Sequence, residues 1–366
     1  MALLYLVFFF LILRFCVTLF NFISNPKLTP AGKHYSDFVS ILIPARNEEI
    51  DIIDLLQSIK NQNYQHFEVL ILDDNSTDNT HKVCADFAKS DDRFKVIKGE
   101  SLPEGWLGKN FACSQLAKQA KGKYLMFIDA DEIIANGLID NVIHRMKIQS
   151  LSLLSLFTNQ ITVTIGEKLI VPLMHFLLLN LLPMRLIRLS KISAFSAASG
   201  QFMFFKADNY REYQWHDQVK NKVVEDIEIM KLVKTCNLNG EALLANGYIS
   251  CRMYKSFNEA VDGFSKNLLA GFNNSIIGSL IYMLLVIGGP IVIFYYMGTM
   301  LLGLAIALIV LERIMISLLS GQNAFINVLI HPLQMLALIW IFSVSVYKTL
   351  TNTVIWKGRK INHNAQ

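Results

Sequence analysis

Long apolar runs lie near both ends of the chain, and shorter ones alternate with amphipathic segments between them. Residues 1–23 contain one charged side chain, Arg14, and Ile276 to Leu311 contain none. Runs of this length are typical of membrane-spanning helices. Short apolar runs that alternate with helical patterns are typical of strands and helices packed in layers. The pattern therefore predicts an α/β domain between two membrane regions.

The short apolar runs predict the strands of a mainly parallel sheet, because strands that alternate with helices return to the same end of the sheet. The predicted strands are residues 38–43, 67–72, 94–97, 124–128 and 202–205. Pro44 is expected to end the first strand, and Asn47 to cap the helix that follows it. Further helices are predicted at 77–89, 109–121 and 224–234.

The apolar runs also set the expected domain boundaries. We expect a transmembrane helix at 1–24, the α/β domain at 36–270, a membrane region at 271–350 and a basic cytoplasmic tail at 351–366. The first run is followed by Asn-Pro-Lys rather than by small residues, so it does not resemble a cleaved signal peptide.

An apolar stretch at about 168–190 lies inside the expected α/β domain. Pro172, Pro183, Arg185 and Arg188 interrupt it. We predict a pair of interfacial helices with both arginines at lipid head groups. An ordinary buried helical hairpin is the alternative.

The number of C-terminal membrane crossings stays open. Residues 276–311 are long enough for two short spans with a bend at 288–290 or near Gly298, and 324–347 form a further apolar run. Three crossings would place the basic tail outside, against the positive-inside rule. Either 331–332 mark a re-entrant segment or one run does not cross.

Charged residues indicate the orientation in the membrane. The net charge is +5, and basic residues follow both the first and the last apolar run. These residues are Lys27 and Lys33, and Lys348, Lys357, Arg359 and Lys360. They predict a multi-pass protein of the cell membrane whose α/β domain is cytoplasmic. The five cysteines show no paired spacing and are expected to be reduced thiols. Arg14 either marks the membrane boundary or pairs with Glu312.

Acidic and polar residues follow three of the predicted strands, and after 38–43 they are Arg46, Asn47 and Glu48. Asp129 and Asp131 follow the strand 124–128, and Asp73 and Asp74 follow 67–72. Because ligands bind at the carboxyl ends of parallel strands, we expect these groups at one edge of the sheet. Asp129 and Asp131 could hold a divalent cation that also binds a diphosphate. Asp73 or Asp74 could accept from a uracil N–H or a ribose hydroxyl, although turn chemistry also explains them.

Two helix starts carry further candidate residues. Lys109 begins a helix, where a cation opposes the dipole unless an anion such as a diphosphate lies nearby. Glu225 and Asp226 begin another helix, where acids are favoured by the dipole alone. Asp226 is the first candidate for a general base and Glu225 the second. No GxGxxG or GxxxxGK[ST] motif follows a strand, which argues against a dinucleotide cofactor or a P-loop.

Five motifs over residues 38–270 together resemble the membrane-bound family 2 glycosyltransferases, which have a GT-A nucleotide-sugar fold. The motifs are VSILIPARNEE, LDDNSTDNT, GWLGKN, FIDAD and VVEDIE. The resemblance implies inverting transfer from a nucleotide sugar, usually a UDP-sugar, with Mg²⁺ or Mn²⁺. By position it implies nucleoside contacts for Pro44, Arg46 and Glu48, a uracil contact for Asp74 beside Asp73, metal and donor binding for Asp129 and Asp131, and the base role for Asp226.

Four further segments resemble lipid-modifying members of that family. RMYKSF, GFSKN, HPL and WKGRKI are similar to carotenoid-acid glucosyltransferases of the diaponeurosporenoate type, and GWLGKN is similar to ceramide glucosyltransferases. The QxxRW motif of polymer synthases is replaced by DGFSKN, in which Lys266 could contact the diphosphate.

The resemblance implies transfer of one sugar to a membrane lipid such as a carotenoid or a sphingoid or terpenoid lipid. Its expected partners are the nucleotide-sugar donor, the lipid acceptor and the bilayer, with no nucleic acid. A polyprenyl-phosphate glycosyltransferase and an inactive membrane scaffold subunit are the alternatives.

Overall fold

The computed structural model describes residues 1–272, 274–351, 353, 355–356 and 359–360. Of the predicted basic tail at 351–366, residues 352, 354, 357–358 and 361–366 lie outside the described residues. The chain divides into two compact units. We call Lys27–Asn159 with Leu186–Arg252 and the described part of Ile355–Gln366 the α/β unit, and Met1–Pro26, Gln160–Arg185 and Met253–Val354 the apolar unit. Residues 160–185 and 253–270, expected in the α/β domain, thus group with the apolar helices.

Twelve strands lie in the described chain. They are β1 Val39–Ala45, β2 Phe67–Asp73, β3 Phe94–Lys98, β4 Tyr124–Ile128, β5 Glu132–Ile134, β6 Leu153–Phe157, β7 Asn159–Gln160, β8 Phe202–Lys206, β9 Gly240–Leu244, β10 Ile249–Cys251, β11 Ile355–Trp356 and β12 Arg359–Lys360. The main sheet has the order β3-β2-β1-β4-β8-β6-β9, and a small sheet has the order β5-β10-β7.

Fifteen α-helices and a short 3₁₀ helix, Ser193–Phe195, complete the described elements. The helices are α1 Ala2–Ser24, α2 Ile52–Lys60, α3 Thr80–Ala88, α4 Gly108–Gln119, α5 Leu138–Ile148, α6 Ile165–Ile170, α7 Pro172–Leu181, α8 Arg185–Leu189, α9 Ala207–Tyr213, α10 Trp215–Gln218, α11 Glu225–Thr235, α12 Phe257–Gly271, α13 Ile276–Ser320, α14 Ala324–Leu329 and α15 His331–Leu350.

The main sheet is mainly parallel, as predicted, but β8 runs against its neighbours. It pairs antiparallel with both β4 and β6, whereas the other four neighbouring pairs are parallel. Strands β2, β4 and β6 are buried along their whole length, which matches their mainly apolar sequences. Because β8 is reversed, the residues just before Phe202 lie at the edge where β4 ends.

Pro44 does not end the first strand, contrary to the prediction. Strand β1 continues through Pro44 to Ala45, whose carbonyl accepts from the Asp74 N–H at 2.8 Å. Backbone groups alternate sides along a strand, so Pro44 faces away from β2 toward the β4 side, where pairing has already ended at Leu42. Pro44 has no N–H group, but no hydrogen bond between neighbouring strands is lost at this position.

Helix α13 folds back on itself at Gly298. This residue has φ 73° and ψ −167°, which separates helical legs at 276–297 and 299–320. Ile293 and Ala305, one on each side of the break, are buried in the same cluster as Leu4 and Val7 of α1. The two legs therefore form a hairpin, and the predicted bend lies near Gly298 rather than at 288–290. By length and composition α1, α13 and α15 are apolar enough to cross a membrane.

Both arginines of the predicted interfacial stretch bind protein oxygens. Arg185 Nη2 donates to the Ser24 carbonyl at 2.8 Å and to the Asn25 carbonyl at 3.0 Å, at the end of α1. Helix ends leave carbonyls without partners, and a guanidinium group supplies the missing donors. Arg188 Nε lies 3.1 Å from the buried carboxylate of Glu241. Lipid head groups are therefore not needed to explain either residue.

Candidate active site

Lys109 connects the end of β4 to the start of α11. Its Nζ lies 2.7 Å from Asp129 Oδ1 and 3.0 Å from Oδ2. The same Nζ donates to the Gly200 carbonyl at 3.1 Å and lies 3.6 Å from Glu225 Oε1. Residues that are distant in sequence thus surround one ammonium group at the carboxyl edge of the sheet. The structure therefore brings Lys109, Asp129 and Glu225 together.

Gly200 links Lys109 to Asp226. Its N–H donates to Asp226 Oδ2 at 2.7 Å, while Oδ1 accepts from the Ile227 N–H at 2.8 Å. A Cβ at position 200 would lie 2.9 Å from Glu225 Oε1 and 3.2 Å from Lys109 Nζ, so only glycine fits this close approach without displacing them. The sequence analysis missed Gly200. The available signal was the Ser-Gly-Gln segment directly before the predicted strand 202–205.

Burial and neighbouring charges set the protonation of these groups. Burial raises the pKa of Glu225 to about 7, even though Lys109 opposes the shift. Burial also raises the pKa of Asp226, while the N–H groups of Ile227 and Gly200 and the charge of Lys109 act against it. Burial disfavours the charge of Lys109, but Asp129 and Glu225 outweigh that effect and hold its pKa above the ordinary value. Raised carboxyl pKa values are typical of groups that exchange protons in catalysis.

The second group of predicted residues lies where β1 and β2 end. Arg46 Nη1 donates to the Asp74 carbonyl at 2.5 Å and to the Asn75 carbonyl at 3.1 Å. Asp73 Oδ1 accepts from the Ser76 N–H at 3.1 Å, and both aspartates are buried. Arg46 therefore ties the loop after β1 to the loop after β2.

Further hydrogen bonds join the same two loops. Asn47 has φ 55°, and its Oδ1 accepts from the Thr77 N–H at 2.8 Å, so it does not cap α2 as predicted. The residue before α2 is instead Asp51. The Glu48 N–H donates to Thr80 Oγ1 at 2.8 Å. Pro44, Arg46, Glu48, Asp73 and Asp74 thus all lie at the edge where β1 and β2 end.

Asp131 lies in a third group, beside the small sheet. The Cys251 thiol donates to Asp131 Oδ2 at 3.3 Å. Ligand atoms of Asp131, Glu132 and Cys251 lie within 4.8 Å of one another. Carboxylate and thiolate groups bind divalent cations, so the donor set fits a metal ion. Lys266, the remaining predicted residue, is half-buried in α12 of the apolar unit.

Comparison with known proteins identifies the family of residues 40–211. Residues 40–211 match the model of glycosyl transferase family 2. The chain carries a family 2 glycosyltransferase domain. The match contains Asp73, Asp74, Lys109, Asp129 and Asp131. Glu225 and Asp226 follow it in sequence, yet the structure joins them to Lys109 and Gly200 within the match.

Relatives of this glycosyltransferase domain include enzymes with lipid substrates in their names. The chain is 25% identical over 240 residues to a 4,4'-diaponeurosporenoate glycosyltransferase from Staphylococcus haemolyticus, covering 65% of this chain and 62% of that protein. It is 37% identical over 108 residues to a beta-monoglucosyldiacylglycerol synthase from Nostoc sp., covering 29% of this chain and 23% of that protein. The chain thus spans less than two thirds of the length of either relative.

A solved structure supports the GT-A-like fold of the glycosyltransferase. The mannosyltransferase from Pyrobaculum calidifontis, determined in complex with GDP-Man and Mn²⁺, matches with a TM-score of 0.58 at 14% identity. The match covers 96% of this chain and 99% of that chain. At this identity the likeness establishes the fold.

Proposed function

We propose that this protein transfers a single sugar from a nucleotide sugar, a UDP-hexose, to a hydroxyl group of a membrane lipid, with inversion at the anomeric carbon. One observation carries the proposal. Lys109 and Gly200 join the acid that follows β4, Asp129, to the acids that begin α11, Glu225 and Asp226. A donor-binding group and a candidate base are therefore parts of one network in a family 2 domain.

Asp226 is the proposed general base. Inverting transfer in one step needs a group that removes the proton of the acceptor hydroxyl. Two backbone N–H groups fix the orientation of the Asp226 carboxylate, which still has free lone pairs to accept a proton. Asp226 is also less buried than Glu225, so a substrate can reach it more easily. Glu225 stays the second candidate, because its pKa of about 7 also suits a base.

The donor half is proposed to lie along the edge where β1, β2 and β4 end. Pro44, Arg46, Glu48, Asp73 and Asp74 would contact the nucleoside. Lys109 and Lys266 would contact the diphosphate. Asp129 and Asp131 would hold Mg²⁺ or Mn²⁺, and such an ion, when bound, offsets negative charge on the departing nucleoside diphosphate. Because Lys109 already balances the charge of Asp129, Asp131 would be the stronger cation ligand of the two.

A membrane lipid is the proposed acceptor. Within the described residues, three helices are long and apolar enough to cross a membrane, and the two relatives above are named for a diaponeurosporenoate and a diacylglycerol. Lys27 and Lys33 after α1 support a cytoplasmic orientation of the α/β unit in the cell membrane. A cytoplasmic site would meet nucleotide sugars in the cytosol and lipid acceptors at the inner leaflet.

The test supplies labelled donors to membranes that contain the overexpressed protein. Radiolabelled UDP-glucose, UDP-galactose, UDP-N-acetylglucosamine and GDP-mannose are added separately, and the lipids are extracted and analysed by mass. We expect one donor to label one lipid class by a single sugar. Membranes with the Asp226→Asn variant are the control. Label transfer that survives in this variant would indicate a lipid phosphate acceptor, which needs no base, and absence of nucleotide binding would indicate an inactive scaffold.

A further inference from the structure

Glu132 is a buried carboxylate without hydrogen-bond partners. It is 0% exposed, and neither of its carboxylate oxygens has a partner among the residues that the structure describes. Burying a charged carboxylate is unfavourable unless it is protonated, paired with a cation or bound to a metal. An unsatisfied group of this kind in a folded domain therefore indicates a ligand at this position.

The register of the small sheet brings a thiol to this carboxylate. Strands β5 and β10 pair antiparallel with Cys251 opposite Glu132. The Cys251 thiol donates to Asp131 Oδ2 at 3.3 Å, and its sulfur also lies close to the Glu132 carboxylate. Asp131 and Glu132 are adjacent in sequence, and Cys251 lies 120 positions from Asp131. Two carboxylates and one thiol thus face a common point.

The spacing of these groups suits one metal ion. Their ligand atoms lie within 4.8 Å of one another. A bound Zn²⁺ has sulfur at about 2.3 Å and carboxylate oxygen at about 2.0–2.2 Å, so its ligand atoms lie roughly 3–4 Å apart. Small side-chain rotations are therefore sufficient to bring the three groups onto one ion.

We propose that Asp131, Glu132 and Cys251 form a cation site with one sulfur ligand, which binds thiophilic divalent ions such as Zn²⁺ and Cd²⁺. The inference rests on the proposed function only through Asp131, which would also bind the donor's cation. Thiolate ligands favour zinc and cadmium over Mg²⁺, which prefers oxygen. Occupation by a thiophilic ion would therefore withdraw Asp131 from the donor and inhibit transfer.

Cadmium binding to the purified full-length protein in detergent tests the proposal. Cd²⁺ bound to a thiolate gives a charge-transfer absorption band in the ultraviolet. We expect a saturable band in the wild-type protein that Cys251→Ser and Cys251→Ala abolish. Glu132→Gln should weaken Cd²⁺ binding about 10–100-fold while retaining the band. Cys84→Ser, which removes another buried thiol, and Cys236→Ser, which removes a partly exposed one, are matched controls and should retain it.

Each outcome decides the question. A band that persists in both Cys251 variants, or no saturable band in the wild-type protein, would overturn the proposal. Thermal unfolding of each variant shows whether it is folded. If one of the two Cys251 variants does not fold, the other still tests the proposal. UDP binding to the wild-type protein is measured separately. Cd²⁺ binding without UDP binding would refute the proposed function and leave the sulfur site intact, and the reverse result would refute the sulfur site alone.

Discussion

Arg14 and Glu312 form a buried ion pair between α1 and α13. Arg14 Nη2 lies 2.9 Å from Glu312 Oε2, and the two side chains are 4% and 1% exposed. Thr18 Oγ1 also donates to the Glu312 carboxylate, at 3.4 Å. The sequence left two explanations for Arg14, a membrane boundary and a pairing with Glu312. The structure confirms the pairing, which compensates each charge in an apolar setting.

Exchanging the charges of Arg14 and Glu312 should restore the folded protein that each single change loses. Arg14→Glu or Glu312→Arg alone leaves two like charges buried together, at a cost of about 3–5 kcal/mol or more. We expect each single variant to lose folded protein and the double variant to recover it. Size-exclusion chromatography of the detergent-extracted protein measures this. Thr18→Ala is the control, with an expected cost near 1 kcal/mol. Absence of rescue in the double variant would contradict the prediction.

Asp226→Asn and Asp131→Ala should separate proton removal from donor binding. The asparagine keeps the shape of Asp226 but cannot accept the acceptor proton, so we expect sugar transfer to fall by about 10²-fold or more while UDP still binds. Asp131→Ala should lose both. Radiolabel transfer and equilibrium binding of UDP measure the two properties. Asp208→Asn changes an exposed acid of α9 and is the control. Retained turnover in Asp226→Asn would reject the base assignment.

Lys109→Met should weaken both the fold and the donor site. It leaves Asp129 and Glu225 close together without their common cation. Loss of one partner from a buried pair costs about 3–5 kcal/mol, and partial exposure of Lys109 reduces this to ~2 kcal/mol. Chemical unfolding and UDP binding measure the two effects. Lys118→Met on the same helix removes an exposed contact with Asp217 at 3.8 Å and should cost under about 1 kcal/mol. Equal effects of the two variants would be incompatible with this role of Lys109.

Glu225→Gln should stabilise the protein at alkaline pH. Since burial raises the pKa of Glu225 to about 7, its contribution to stability is present at acidic pH and is lost as pH rises through 7. Glutamine stays neutral at every pH. The free energy of unfolding of the variant, relative to that of the wild type, should therefore rise by up to about 3 kcal/mol between pH 5 and pH 8.5. Apparent Tm at the two pH values measures the gain. Glu228→Gln, a partly exposed residue of the same helix, is the control. A gain independent of pH would exclude this explanation.

Gly200→Ala should damage the site more than the fold. The added methyl group would press on the flexible ends of Glu225 and Lys109, which can move at small cost. That movement breaks the geometry around Asp226, so we expect transfer to drop at least about tenfold with Tm nearly unchanged. Gly271→Ala is the control, because a Cβ there meets no atom within 4 Å. Full activity in Gly200→Ala would show that the close approach is unimportant.

The sequence predicted the main strands well and their directions less well. Strands β2 and β4 were located to within a residue because their sequences are mainly apolar and are bounded by aspartates. The four-residue apolar run of β8, 202–205, has the same apolar character whichever way it runs, so its reversal was not predictable. Gly200 was missed for the same reason, because its position at the β4 edge depends on that reversal.

Several contacts between distant segments were not predicted from the sequence. Asn47 was expected to cap α2, since asparagine before an apolar helix usually does so. It binds Thr77 instead, because both loops converge where two parallel strands end. The nearness of Glu132 and Cys251 depends on the register of β5 and β10, which short strands do not encode. The pairing of Arg14 with Glu312 was predictable because charges are rare in apolar runs.

The reversal of α13 at Gly298 also limits the number of times that the C-terminal region can cross the bilayer. A helical hairpin returns the chain to the face from which it started, whether its two legs traverse the bilayer or only dip into it. The hairpin therefore contributes an even number of passages, and the compartment reached after Leu350 depends on α15 alone. A single accessibility label attached beyond that residue consequently reports whether α15 crosses the bilayer.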